Sequence, residues 1–314
     1  MSGVGYHQRR RREDLVTMNF LGFGNSASFV FKFTSSVKGR ATKSIKQDAG
    51  NVQELLIFQG SEPIRGEVQV IPKGKKLEHV GIKIELIGEI EMLYDRGNRY
   101  EFTSLVRELD APGTLYSEKS YPFNFDNVPK QYESYNGLNV LLRYFLRVTV
   151  SKPYGTSTKE QDFWVENLQP EPAINNSIKM EVGIEECLHI EFEYEKSKYH
   201  ANEAVVGKIY FLLVRIKIKY MELAIIKRES TGSGDNTQSE NETIQKFEIM
   251  DGCPVRGEHI PVRLFLSNSK LTPTYDNVNN QFSVRYFLNL VLVDQEDRRY
   301  FKQQEITIWR KDLG

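Results

Sequence analysis

From Phe29 onward the chain alternates apolar and polar residues with a period of two. Phe29, Phe31 and Phe33 are interleaved with Val30, Lys32 and Thr34. Ile82, Ile84 and Leu86 alternate with Lys83, Glu85 and Ile87, and Ile216, Ile218 and Tyr220 with Lys217 and Lys219. Runs of this kind predict strands that turn one face to a core and the other to water. Pro72-Lys73-Gly74, Pro112-Gly113, Pro153-Tyr154-Gly155 and Asp251-Gly252 separate them into many short segments with no helical pattern between. That rhythm predicts an all-β chain of antiparallel sandwiches. One stretch carries two periods. Phe102, Leu105, Val106 and Leu109 fit a helical stripe, while Thr103, Leu105, Arg107 and Leu109 fit one face of an edge strand, which the surrounding pattern favours.

An internal echo sets the domain organisation. Arg143-Tyr144-Phe145-Leu146 returns as Arg285-Tyr286-Phe287-Leu288, and a Trp-bearing strand follows each: Phe163-Trp164-Val165, then Ile306-Thr307-Ile308-Trp309. A long alternating pair precedes each, Gly66 to Met92 and Val206 to Lys227. Two copies of one sandwich account for all three echoes. Glu166-Asn167-Leu168-Gln169-Pro170-Glu171-Pro172 has linker composition, so lobes at 18–170 and 171–314 are expected. Residues 1–17, polar and basic around Arg9 to Arg12, read as a disordered extension. Ser230 to Asn241, small and polar, reads as a strand-free hairpin tip.

Composition narrows the function. The 314 residues suit two cores, and 42 Lys plus Arg balance 42 Asp plus Glu, so no global field draws in nucleic acid or an anionic membrane. Two cysteines, Cys187 and Cys253, are too few for a disulfide framework. The start has no apolar stretch behind its arginines, so an intracellular home is expected and the sequons at Asn175 and Asn241 are read as chance matches.

Catalytic and metal signatures are weak. His7, His79, His189, His200 and His259 fall in no metal spacing. Cys187 and His189, two apart on an expected strand, could begin a zinc site, but no second ligand pair completes it. Neither cysteine has an activating elbow, and Gly22-Phe23-Gly24 lacks what a phosphate loop needs. Glu191, Glu193 and Glu195 alternate with Ile190, Phe192 and Tyr194 as the wet face of a strand. Arg215, Lys217 and Lys219 read the same way, with phosphate binding as the competing use. The expectation is no catalytic residue, no metal and no cofactor. Glu248-Ile249-Met250-Asp251-Gly252 is the notable surface feature, two large apolar residues just before a turn dipeptide; from pattern alone Ile249 and Met250 could equally face the core.

Longer strings carry a resemblance. Asn175 to Tyr194, Val206 to Arg215, Phe282 to Val293 and Asp297 to Glu305 closely resemble the vacuolar protein sorting 26 family, the arrestin-like subunit of the retromer complex. In the first half Leu77-Glu78-His79, Tyr132-Glu133-Ser134-Tyr135 and Leu142 to Leu146 do so too. The resemblance implies two tandem arrestin-like β-sandwich lobes and a non-enzymatic scaffold and cargo adaptor on the cytosolic face of endosomes. It implies direct docking of the second lobe on retromer's large α-solenoid subunit through Ile249, Met250, Asp251 and Gly252. The phosphoesterase-like subunit would share the complex indirectly, with sorting nexins and cytosolic tails of transmembrane cargo as further partners. Membrane contact would be mostly indirect, with no nucleic acid. An arrestin-type receptor or ubiquitin-ligase adaptor is the alternative, against which stands the lack of a Pro-Pro-x-Tyr motif.

Overall fold

The computed structural model describes residues 26–34, 40–46, 52–60, 62–94, 98–184, 186–232 and 234–311; the expected extension at 1–17 lies outside them. No α-helix occurs among the described residues. In chain order the strands before the linker are β1 (Ala27–Phe33), β2 (Thr42–Lys46), β3 (Val52–Gln59), β4 (Ile64–Pro72), β5 (Leu77–His79), β6 (Gly81–Met92), β7 (Arg99–Asp110), β8 (Gly113–Leu115), β9 (Lys119–Phe125), β10 (Tyr135–Asn136), β11 (Val140–Ser151) and β12 (Thr156–Glu166). After it come β13 (Ile178–Ile184), β14 (Leu188–Tyr194), β15 (Lys198–His200), β16 (Ala204–Val214), β17 (Ile218–Thr231), β18 (Gln238–Asp251), β19 (His259–Phe265), β20 (Tyr275–Val278), β21 (Phe282–Asp294) and β22 (Arg299–Trp309).

Two compact units result. One takes the described residues up to Glu89 with Arg99–Ser134 and Leu142–Glu166; the other takes Ile90–Asn98, Tyr135–Leu141 and the chain from Asn167 on. Each is built on a smaller and a larger sheet: β1-β4-β9 with β2-β3-β12-β11-β6-β7, and β13-β14-β16-β19 with β15-β22-β21-β17-β18. In the first unit Phe33 of the small sheet meets Phe58 and Phe163 of the large one at 5.6 and 6.4 Å between ring centroids. In the second, Leu188, Ile190, Phe192 and Tyr194 are buried at every other position of β14, as are Phe282, Val284, Tyr286, Leu288 and Leu290 along β21. Period two is the signature of sheets with a single buried face.

The sequence echo is a structural duplication down to single hydrogen bonds. Tyr132 N–H donates to Tyr144 Oη at 3.4 Å, and Thr272 N–H donates to Tyr286 Oη at 3.1 Å. Ser134 N–H donates to the Val165 carbonyl while Val165 N–H donates to Ser134 Oγ; Thr274 and Ile308 repeat both bonds. Beyond β12 and β22 each large sheet adds a parallel neighbour, β3 with Phe58 opposite Val165 and β15 with Tyr199 opposite Ile308. Arg143 pairs with Asp162, and Arg285 with Glu305, the carboxylates sitting opposite Phe145 and Phe287. The same bonds set Val165 against Ile308, so the two tryptophans are not equivalent positions: Trp164 precedes the first and Trp309 follows the second. Two mid-strand glycines complete the correspondence. A Cβ on Gly66 would run into the Lys32 carbonyl, and one on Gly207 into the Glu193 carbonyl, so only glycine lets the neighbouring strand lie that close.

Several expectations change. Residues 99–110 form a strand at the edge of the large sheet, as the surrounding pattern favoured. It lacks clean alternation because Phe102 turns in against Tyr132 and Tyr144, at 5.4 and 5.3 Å, over the bare Cα of Gly88. Ser230 to Asn241 is not strand-free: β17 and β18 pair as far as Thr231 with Gln238, so the tip is confined to 232–237. Polar side chains can occupy a ladder whose outer side is wet. Arg215 and Lys217 lie between β16 and β17 rather than on a strand, and Lys219 pairs with Asp297 at 2.9 Å.

Two buried carboxylates hold the second unit's loops. Glu229 on β17 is 1% exposed and accepts hydrogen bonds from Tyr135 Oη (2.6 Å), Asn139 N–H (2.7 Å) and Leu138 N–H (3.0 Å). Gly137 leaves room for it, since a Cβ there would strike the carboxylate. Burial, reinforced by the Glu229 charge, keeps the Tyr135 hydroxyl protonated far above its ordinary range. Asp294 accepts from Glu296 and Arg298 N–H (both 2.9 Å), Arg298 Nε (2.7 Å) and Tyr300 Oη (2.9 Å), closing the β21–β22 turn. Desolvation works against the Asp294 carboxylate, but these donors outweigh it and draw it down to about 2.

Replacing Glu229 with Ala strands one phenol and two amides in the interior, so chemical denaturation should show a loss of about 2–4 kcal/mol, larger than for Glu229→Gln. For Asp294 the folded carboxyl titrates below its ordinary 3.8. Its contribution is therefore complete above the unfolded value and disappears as the pH falls from 3.8 toward about 2. Urea midpoints of the wild type and Asp294→Asn should differ near neutrality and converge across that acid window.

Candidate functional site

Ile249, Met250 and Asp251 end β18, the outermost strand of the larger sheet of the second unit, and Gly252 follows it. Among the described residues only β17 pairs with it. Alternation fails at this point: Met250 faces Met221 and Glu248 faces Glu222, so Ile249 is an extra residue with no partner across the ladder. A bulge of this kind bends a strand and re-aims its side chains. Regular alternation would hide one of two adjacent residues; here Ile249 and Met250 are both half-buried. A second register shift lies near Ile244, where Gln245 faces Ile225 and Thr243 faces Ile226.

Beyond the bulge, backbone bonds hold the chain in place. Asp251 is exposed and faces Tyr220. Gly252 has φ +94° and its N–H donates to the Lys219 carbonyl at 2.8 Å; a Cβ there would meet open space, so glycine is required by conformation rather than by crowding. The chain then crosses from the larger sheet to β19 of the smaller one. Gly257, at φ +87°, donates to the Phe211 carbonyl at 2.7 Å, and Phe211 N–H donates to the Glu258 carbonyl at 3.0 Å. Glu258 Oε2 accepts from Val255 N–H at 2.9 Å.

These bonds present Val255 at the loop's crest, 70% exposed, with Pro254 buried beneath. Phe247, two residues before the bulge, is 36% exposed. The four residues picked from sequence thus lie at one strand end, and the loop that follows carries a further exposed apolar residue, Val255. An apolar residue between proline and Arg256-Gly257 is its only sequence signal, since a turn normally carries polar residues there. Cys253 is exposed, with Sγ 4.0 Å from the Ile216 carbonyl.

Most of the residues weighed for chemistry lie apart: among the described residues none of Cys187, Cys253, His79, His200 and His259 joins a cluster of potential metal ligands. Cys187 lies in the turn before β14, not on the strand with His189, and its N–H donates to the Ile184 carbonyl. His79 is buried in β5. His200 is a core residue whose Nδ1 accepts from Lys311 N–H at 3.0 Å. His259 lies at the exposed start of β19, its ring 6.0 Å from that of Tyr210. Glu193 pairs with Lys179 at 3.3 Å, as a wet strand face would.

Comparison with known proteins gives one consistent result. A family model described as vacuolar protein sorting-associated protein 26 (Vps26) matches residues 23–297. The chain is 58% identical to the vacuolar protein sorting-associated protein 26 of Dictyostelium discoideum over 301 residues, 94% of this chain and 86% of the relative. It is 58% identical over 297 residues to protein 26B of Arabidopsis thaliana (93% and 98% covered) and 55% identical over 296 residues to protein 26B of Homo sapiens (94% and 88%).

Because its left-handed turn rests on conformation alone, Gly252→Ala should cost about 1 kcal/mol. A thermal melt should show a fall of a few degrees, with the far-ultraviolet circular dichroism unchanged.

Proposed function

The chain belongs to the vacuolar protein sorting-associated protein 26 (Vps26) family, and from that premise we propose that it is a non-enzymatic retromer subunit. In this reading it is a scaffold and cargo adaptor for retrieving transmembrane proteins from endosomes to the Golgi and the plasma membrane. Its second lobe docks on the large α-solenoid subunit through Ile249, Met250, Asp251 and Gly252. The phosphoesterase-like subunit joins the same complex without touching this chain; sorting nexins and cytosolic cargo tails are the remaining partners. The place of action is the cytoplasm and the cytosolic face of endosomes. No helix among the described residues is long and apolar enough to cross a membrane, in keeping with recruitment through partners.

The observation that carries the reading is the bulge at Ile249. It leaves two large apolar side chains half-exposed at the end of an edge strand, beside Val255 on a loop pinned by main-chain bonds. A few large side chains on a preorganised support supply most of the affinity of a protein interface, because little ordering entropy opposes their burial. Exposed Glu248, Asp251 and Arg256 flank these residues in sequence and can supply the polar rim that such a centre carries.

The test is calorimetric titration of the wild type and of Met250→Asp against the amino-terminal portion of the solenoid subunit. Tight binding is expected for the wild type. Placing a charge in the contact should weaken it by about 100-fold or more, a loss of roughly 3 kcal/mol, with circular dichroism unchanged. Failure of the wild type to bind would overturn the retromer reading and leave an arrestin-type adaptor. Binding unchanged by both Met250→Asp and Ile249→Asp would move the docking site elsewhere.

A further inference from the structure

The β13–β14 hairpin brings three potential metal ligands together by register rather than by sequence spacing. Glu181 lies directly opposite Glu191, and His189 lies opposite Gly183. On a strand, 189 and 191 point to the same face, and the missing side chain at 183 leaves the imidazole free to lean along the hairpin toward the glutamates. His189 Nε2 lies 3.7 Å from Glu181 Oε2 and 3.8 Å from Glu191 Oε1. One donor atom from each of the three residues falls within 4.8 Å of the others.

Three further facts set this group apart from an ordinary wet strand face. Two carboxylates directly opposite each other repel across an antiparallel pair. One step along the same hairpin, Glu193 faces Lys179 and is paired with it, whereas among the described residues no lysine or arginine pairs with Glu181 or Glu191. On the third strand the residues directly opposite are uncharged too, Leu213 against His189 and Tyr210 against Glu191, while Lys208 stands further along, opposite Glu193. Finally, the ring is partly exposed, yet Nε2 itself is shielded from solvent and has no hydrogen-bond partner. Both carboxylate contacts are too long to be hydrogen bonds.

The geometry points to a surface site for a zinc-class divalent cation, with His189 Nε2, Glu181 and Glu191 as its three protein ligands. Zinc binds nitrogen and carboxylate oxygen at about 2.0–2.2 Å, so tetrahedral ligands stand about 3.4 Å apart. The observed separations need only side-chain adjustment on a fixed backbone. Both glutamate side chains are exposed, so a water could take the fourth position. The imidazole disfavours calcium and magnesium, which take oxygen ligands. Cys187, the thiol that the sequence sets beside His189, is not in the group. Bound metal would cancel the cross-strand repulsion and tie β13, an edge strand, to β14.

The experiment is titration of zinc chloride into the full chain after chelator treatment and desalting, followed by calorimetry, with cobalt absorption as a second readout. One zinc per chain is expected in the wild type. His189→Gln and the double variant Glu181→Gln with Glu191→Gln should each weaken it by about 10-fold or more, since losing a direct ligand costs at least as much as losing a group that only orients one. Cys253→Ser, which removes the exposed thiol, and His259→Gln should leave it unchanged. The cobalt complex should show visible d–d bands without a sulfur-to-cobalt charge-transfer band. No binding at zinc concentrations up to about a hundred micromolar, binding that survives His189→Gln, or binding lost in Cys253→Ser would each overturn the assignment. The substituted side chains lie on the outer face of the hairpin, so unchanged circular dichroism would separate metal loss from misfolding.

Discussion

Strand β17 is hydrogen-bonded along both edges, to β21 on one side and β18 on the other, and nearly everything of interest in the second unit hangs from it. Its buried residues, Met221, Leu223, Ala224 and Ile225 among them, fix it in the core. Glu229 then uses the same strand to hold the turn at 137–139 through main-chain amides, and Lys219 at its start accepts the Gly252 amide. A strand anchored by apolar burial can support a neighbour that is mostly polar outside. This is why β18 can be long, exposed and bulged and still be in register.

The duplication explains why the fold was legible. Period-two alternation and the Arg-Tyr-Phe-Leu echo lie within single strands, where sequence spacing equals spatial spacing. The two-sandwich architecture follows from them alone. The details that make the halves equivalent are carried by backbone amides at Tyr132, Ser134, Thr272 and Thr274, on segments with no shared string to announce them. The paired tryptophans, the most conspicuous echo by eye, turn out to be two positions out of step, whereas Gly66 and Gly207, which nothing in the pattern singles out, correspond.

The candidate docking site was readable for a different reason. Ile249 and Met250 stood out because an apolar pair precedes a turn and because the surrounding strings resemble a known family; pattern alone left them able to face inward. The bulge leaves both half-buried, and a bulge depends on which residue of β17 each residue of β18 meets. The same limit applies to His189. Sequence offered Cys187 as its companion two residues away, while the structure supplies Glu181 from the opposite strand, a relation that only the hairpin register creates.

The extra residue at Ile249 has one more effect. A strand of this length at the margin of a sheet offers an unsatisfied row of amides and carbonyls to any extended peptide, including another copy of itself. Interrupting the ladder at Ile244 and Ile249 twists that row out of the straight line that a second strand would need, and the charges on Glu240, Glu242, Lys246 and Glu248 discourage what remains. The irregularity that leaves an apolar pair half-exposed therefore also guards the molecule against polymerising through the same margin. Removing that single residue would erase one of the two breaks and leave the margin easier for a second strand to extend.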